Sequence, residues 1–383
     1  MKGSVRKRGE FWYYSFDAGK NKDGKRNRIE KKGTKSKRET ESLLREEIEK
    51  YLKKSKLNLK TFYEISDEFL EYKKKSIKFS TYILYLSYIK KYKKYINEDI
   101  FISELNINEF ISKLKLNTSA CNFNKLLKVF QNIYKYSLMN NYINYELYLK
   151  VEQLEKMKYI KGIEKEYFNI NEIESYIDKI PSFYARSIFK LMFYTGMRVS
   201  EATALTWDCI NFENKEITID KILVHHKYGY ITKPKSNKSS RTIYIDKRTN
   251  NLLLEIKKYS EYIPEEKKKY RVFYLKKIDS ELYQIVKEKT EKKLDFVFYN
   301  MYNSFFTGKA LAQLARRHIQ IAGLHLTSHC GRVSHATELV DNNVPLKVIQ
   351  ERLGHENIST TLNFYKKITK KDREKEKEIL DKM

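Results

Sequence analysis

The residues with the most chemistry to offer stand in the second half of the chain. Tyr194-Thr195-Gly196-Met197-Arg198-Val199-Ser200-Glu201 comes first, then His329-Cys330-Gly331-Arg332, then Leu353-Gly354-His355. Tyr365 stands ten positions beyond that last histidine (365 − 355 = 10). Two arginines, two histidines and a late tyrosine in this order suit the attack of a tyrosine on a phosphodiester. Breaking that ester without a metal needs a nucleophile in line with the leaving oxygen. It also needs cations or donors for the charge growing on the non-bridging oxygens, and an acid for the leaving 5′ oxygen. Arginine suits the second task because its planar fork holds two phosphate oxygens at once and stays charged. Arg198 opens a helix after a Thr-Gly turn, and Glu201 at i, i+3 shares its face, where it can orient the guanidinium. His329 and Arg332 have the same spacing and point to one site if their segment is helical; His335, one turn on, reads as structural. His355 follows a Leu-Gly turn and can donate to a phosphate oxygen. Taken singly, each has a plainer explanation: a surface ion pair, a capping histidine, one tyrosine among 31.

The rest of the chain must position these groups. Its 383 residues exceed one ordinary domain, and 41% hydrophobic residues are enough for real cores. The excess of 77 Lys+Arg over 49 Asp+Glu, a net charge of +28, resists compaction and points to a polyanionic partner such as nucleic acid. Cys121, Cys209 and Cys330 are far apart and odd in number, with no metal-type or redox-type spacing, as expected in a reducing cytosol. The basic start, Met1 to Arg8, has no apolar stretch behind it, and no apolar run reaches membrane-spanning length. The expectation is a soluble, cytoplasmic protein.

Residues 1–54 read as a small sheet plus one helix. Ser4 to Lys7, Phe11 to Phe16 and Arg26 to Lys31 supply three strands, with Asp23-Gly24 as a turn signal. Ser36-Lys37-Arg38-Glu39 matches a capping box ahead of a helix through Leu43, Leu44 and Ile48. Arg6, Lys7, Arg8, Lys25, Arg26 and Arg28 make this sheet basic, and a basic β-sheet can enter a major groove. Residues 60–155 read as all-helical, without Pro or Gly. Phe62, Ile65, Phe69 and Tyr72 keep helical spacing, as do Tyr82, Tyr85, Leu86 and Ile89, and later Phe123, Leu126, Leu127, Phe130, Ile133 and Tyr134; these aromatics read as core. Lysines including Lys90 and Lys91 on the polar faces suggest phosphate contacts. A charged stretch from Glu152 to Glu166 reads as a linker. From 166 to 383 the pattern is mixed: helices over about 171–180 and 184–195, one after Arg198, others at Thr249–Tyr259 and Gly308–Ala322. Strands are expected at Ile217–Val224, Tyr230–Thr232 and Arg241–Ile245, while 260–295 stays unassigned.

The ordered set of motifs closely resembles the tyrosine recombinase (phage integrase) family over nearly the whole chain. The resemblance implies a three-domain fold: an arm-type DNA-binding domain (1–54), an all-α core-binding domain (60–155), and a mixed, mainly α catalytic domain with a small β-sheet (166–383). Tyr-Thr-Gly-Met-Arg-Val-Ser-Glu marks the first catalytic arginine, and Arg-Leu-Gly-His marks His355. By resemblance Tyr365 is the nucleophile that forms a 3′-phosphotyrosine, which stores bond energy so that the strand is rejoined without ATP. Lys235, in the hairpin tip expected from Lys233 to Arg241, becomes the mobile general acid by the same resemblance, with Lys238 as its competitor. Gly331 and Val333 depart from the family pattern, which usually has Leu before the arginine and a histidine after it. Glycine lowers helix propensity by roughly 1 kcal/mol relative to alanine, so a less rigid helix is expected there. No cofactor or metal is implied. The implied partners are double-stranded attachment-site DNA, four protomers on two duplexes, an excisionase and a host DNA-bending protein. The rival readings are strand relaxation of the type IB topoisomerase kind and a non-catalytic DNA-binding regulator of the same fold.

Overall fold

Alternation along the first strands decides how the N-terminal sheet packs. The computed structural model describes residues 3–20, 26–55, 59–98, 100–158, 168–234, 239–318, 329–365 and 380–381. It has two compact units, Met1–Ile160 and Lys161–Met383. In the first, β1 (Gly3–Arg8), β2 (Phe11–Lys20) and β3 (Arg26–Lys32) form an antiparallel sheet in the order β1-β2-β3, followed by α1 (Lys37–Ser55). Val5, Tyr14, Phe16 and Ile29 cluster with Leu44 and Ile48 of α1. Ser36 caps that helix, its hydroxyl accepting from the Glu39 amide at 3.4 Å.

The helical part of this unit has a separate hydrophobic cluster, built from α2 (Phe62–Lys74), α3 (Phe79–Tyr92), α4 (Ile107–Leu116), α5 (Ala120–Met139) and α6 (Tyr145–Glu152). Phe62, Phe69, Tyr92, Phe123, Phe130 and Tyr134 are wholly buried. The Tyr92 hydroxyl donates to the Leu126 carbonyl at 2.6 Å, which satisfies its polar end inside the core. Tyr72 departs from the expected core set: it is half exposed and lies against Tyr136, ring centres 5.2 Å apart. Thr61 and Glu64 close a complete capping box at the start of α2.

The second unit carries α7 (Ile170–Ile177), α8 (Phe183–Thr195), α9 (Val199–Ala202), β4 (Ile210–Asn211), β5 (Glu216–Ile219), β6 (Ile222–His225), β7 (Gly229–Thr232) and β8 (Arg241–Tyr244). Then follow α10 (Lys247–Glu261), α11 (Glu265–Lys268), β9 (Phe273–Asp279), β10 (Leu282–Val286), β11 (Lys293–Leu294), α12 (Gly308–His318), α13 (Cys330–Asp341), α14 (Leu346–Leu353) and α15 (Ile358–Tyr365). Two sheets form, in the orders β4-β5-β8 and β11-β9-β10-β7-β6. The single strand expected over Ile217–Val224 is therefore two strands in two sheets. The break falls at Asp220-Lys221. Lys221 keeps the inward phase of Ile217, Ile219 and Leu223, and its ammonium donates to the Thr206 hydroxyl at 2.8 Å beside Asp208 and Asp220. The unassigned 260–295 segment holds the β9–β10 hairpin, with the Asp279 carboxylate accepting from the Ser280 amide in its turn.

Gly331 lies where α13 meets α8. A Cβ there would sit 3.1 Å from the carbonyl carbon and 3.2 Å from the carbonyl oxygen of Met192. The departure from the family pattern is thus a close helix–helix approach rather than a loosened helix. Alanine is the better helix former by about 1 kcal/mol, yet it would meet the Met192 backbone, which cannot swing aside, and the Phe193 ring at 3.2 Å. Gly331→Ala is expected to lower the unfolding free energy by about 1–3 kcal/mol, read from the denaturant midpoint. An unchanged or raised midpoint would show that α8 yields.

Candidate active site

The first arginine motif is placed by a turn. Gly196 ends α8 with φ of 68°, in the left-handed region. A Cβ there would come within 2.8 Å of both the His335 ring and the Leu353 side chain, so a side chain is excluded twice over. The turn delivers Arg198 to the first position before α9, with Glu201 one turn on. Glu201 is buried, its side chain 1% exposed. Its carboxylate accepts from the Arg198 amide at 2.9 Å and the Arg198 Nη1 at 2.7 Å. It also accepts from both terminal nitrogens of Arg241, at 3.2 and 3.0 Å. Burial alone would raise the Glu201 pKa, but the two guanidiniums overcome it and hold the carboxyl below its ordinary value.

Arg332 comes from α13 and is almost wholly buried. It donates through Nη1 to the Gly196 carbonyl at 2.9 Å and through Nη2 to the Leu353 carbonyl. Arg198 donates to the same Leu353 carbonyl at 3.5 Å and to Gly354 at 3.1 Å. Arginines 134 positions apart (332 − 198 = 134) thus converge on the last turn of α14. Burial and then Arg198 push the Arg332 pKa down to about 9, so the group still carries its charge at neutral pH. His355 follows directly. Its amide donates to the Gln350 carbonyl at 3.0 Å, and its Nδ1 lies 2.9 Å from the Thr361 hydroxyl. Burial first, then Arg332, Arg198 and His329, hold its pKa near 3, so the ring is neutral. His329 is placed at the N-cap of α13, near enough to act on His355.

Two arginines outside the expected set complete the cluster. Arg241 Nε donates to the Arg352 carbonyl at 2.6 Å, tying β8 to α14. Arg352 in turn donates to His335 Nε2 at 2.9 Å and to the Tyr244 carbonyl at 2.8 Å. Arg241 was visible only as the end of the Lys235–Arg241 pattern, and Thr361 gave no signal beyond standing four residues before Tyr365. Tyr365 is the last residue of α15, and its side chain lies outside the described residues, as do Lys235 and Lys238. The strands flanking those lysines are not partners. β7 pairs with β6 and β10, and β8 pairs with β5, so the two flanking strands lie in different sheets and form no hairpin with each other, unlike the expected one. Among the described residues no cluster of three or more His, Cys, Asp or Glu side chains could hold a metal ion.

In the N-terminal sheet, alternation sorts the basic residues. Val5 and Ile29 face α1, so Arg6, Arg8 and Arg28 share the opposite, open face and Lys7 the helix side, opposite Trp12. Arg8 is paired with Glu30 at 2.7 Å, and Arg28 donates to Ser15 at 2.9 Å. Arg26 begins β3 with its side chain outside the described residues, as is all of Lys25. Lys90 and Lys91 stand in the last turn of α3, where the helix dipole also favours them.

His335 supplies a pH test of the cluster. Burial and Arg352 hold its pKa down to about 3, against an ordinary value of 6.5. The unfolded chain therefore takes up the proton first, so this stabilisation is present above pH 6.5 and is lost as pH falls towards about 3. His335→Gln keeps an acceptor for Arg352 but cannot titrate. Between about pH 6 and 4 its stability should fall less steeply than the parent's, by about 1.4 kcal/mol per pH unit. Equal slopes in denaturant titrations would show that His335 is not held neutral.

Comparison with known proteins places the chain in a family and a fold. The family model described as "Phage integrase family" matches residues 164–372. The integrase of Staphylococcus phage L54a is 27% identical over 353 residues, covering 85% of this chain and 94% of its own. The prophage ps2 probable integrase of Lactococcus lactis is 25% identical, covering 92% and 91%. Among solved structures, the Tn1549 transposon integrase in complex with a circular intermediate DNA superposes with a TM-score of 0.59 at 16% identity, covering 82% of this chain and 99% of that one. A lambda integrase dimer bound to a core site gives 0.58 at 13% identity, covering 94% and 93%. These two show a shared fold. The chain belongs to the phage integrase family and is a tyrosine-type site-specific DNA recombinase.

Proposed function

We propose that Tyr365 is the nucleophile of this recombinase and that Arg198, Arg332, His355 and His329 hold the scissile phosphate it attacks. One observation carries the reading: the guanidiniums of Arg198 and Arg332 donate to one carbonyl, that of Leu353, beside His355. Donors aimed at one point before substrate arrives are what a pentavalent, highly charged transition state requires. Arg198 and Arg332 would neutralise the non-bridging oxygens, with Glu201 setting the direction of Arg198. Lys235, or Lys238 in the other register, would protonate the leaving 5′ oxygen. A 5′ hydroxyl from the partner duplex would then reverse the step and seal the exchanged strand.

Four protomers on two duplexes, an excisionase and a DNA-bending protein complete the proposed assembly, acting in the cytoplasm. Among the described residues no helix is long and apolar enough to cross a membrane. The three-stranded sheet would read a second, distal class of DNA site with Arg6, Arg8 and Arg28, while Lys90 and Lys91 would contact phosphates at the core site. Three folding domains, 1–54, 60–155 and 166–383, would serve these three tasks.

Trapping on a nicked core-site substrate tests the nucleophile and the clamp together. Tyr365→Phe should bind DNA normally and form no covalent complex, and a surviving covalent band would assign the attack to another tyrosine. Arg332→Ala should retain binding and slow cleavage by roughly two to three decades. Near-normal cleavage by that variant would remove it from the phosphate site. Deleting residues 1–54 should spare cleavage of isolated core sites and abolish the salt-steep binding to distal sites. Equal binding of full attachment DNA by the truncated and whole chains would overturn the assignment of the sheet.

A further inference from the structure

His355 is joined to the helix of the nucleophile by one short contact. Its Nδ1 lies 2.9 Å from the hydroxyl of Thr361, which belongs to α15. Both residues are shut from water, Thr361 at 0% and His355 at 7% exposure. Thr361 stands one helical turn before Tyr365 (365 − 361 = 4). The ring is held neutral by burial and the neighbouring guanidiniums. A neutral imidazole carries one N–H only, and the partner of one nitrogen decides which nitrogen has it.

We infer that Thr361 is a positioning residue whose hydroxyl donates to Nδ1 of His355, which keeps the ring proton on Nε2 and makes His355 a neutral hydrogen-bond donor to the phosphate. The inference rests on the phosphate reading of the Arg198–Arg332–His355 cluster. The opposite arrangement would place the ring proton on Nδ1, directed at the Thr361 oxygen. Nε2 would then present a lone pair to an anionic oxygen, which repels it. Arg198 and Arg332 already supply charge on the same side, so a donor that adds no further positive charge suits a buried site crowded with guanidiniums. The hydroxyl also makes the donor state depend on α15 being seated, because α15 carries both Thr361 and Tyr365.

The tautomer is read without DNA, in full-length protein labelled with ¹⁵N-histidine, with His355→Gln identifying the resonances of this ring. The expected wild-type signature at neutral pH is a protonated Nε2 and an unprotonated, hydrogen-bonded Nδ1. Thr361→Ser should keep that signature. Thr361→Val, nearly the same shape without the hydroxyl, should lose it while melting at the parent temperature. On the nicked core-site substrate, Thr361→Val should form the covalent complex about tenfold more slowly, the loss expected for one hydrogen bond, with Thr361→Ser close to the parent. A proton on Nδ1 in the wild type overturns the inference, and so does a Val variant indistinguishable from the parent in both measurements. Failure of the phosphate reading would look different: the tautomer would respond to Thr361 while even the wild type formed no covalent complex.

Discussion

The buried carboxylate of Glu201 is the constraint on which the site depends. Four guanidiniums, of Arg198, Arg241, Arg332 and Arg352, gather in one region, and burial with repulsion from a neighbouring guanidinium lowers the pKa of Arg332 and of Arg352. Taking a charge out of water costs several kcal/mol even after relaxation, and only close opposite charge and hydrogen bonds offset it. Glu201 supplies both, meeting Arg198 and Arg241 through two oxygens each engaged twice. Its position follows from the left-handed Gly196 turn, which sets the register of α9, and from β8, which delivers Arg241 beside Ile219 of β5. The short α9 thus owes its location to electrostatics as much as to packing.

The large divisions of this fold are legible in the sequence because their signals are periodic. Val5, Tyr14 and Phe16 alternate, and the buried face of α5 from Phe123 to Tyr134 repeats at helical spacing. Motif residues were legible for another reason: Gly196, Arg198 and Glu201 form a local unit whose geometry lies within a few residues. His329, Arg332 and His355 needed the family pattern to be linked, since nothing local says that α13 packs on α8 and brings them to α14.

What stayed hidden is whatever depends on a partner distant in sequence. Arg241 meets Glu201 across 40 positions and the Arg352 carbonyl across 111. The sheet switch at Asp220-Lys221 is masked because Lys221 keeps the strand's alternation while its ammonium finds Thr206 within the fold. Gly331 reads in sequence as a weak point, and only the nearness of Met192 turns it into a packing requirement. In each case local propensity was read correctly and a tertiary contact decided the outcome.

The Leu353 carbonyl adds one consequence. It closes α14, whose final carbonyls have no partner within the helix and carry its negative end. Arg198 and Arg332 are therefore caps of that helix. Each guanidinium has five N–H groups, so under the proposed reading both can hold this helix end and still offer hydrogens to a phosphate. The chain that leaves this end runs through His355 to α15 and Tyr365 within a dozen residues. The two arginines therefore hold, through one carbonyl, the start of the backbone span that leads to the proposed nucleophile.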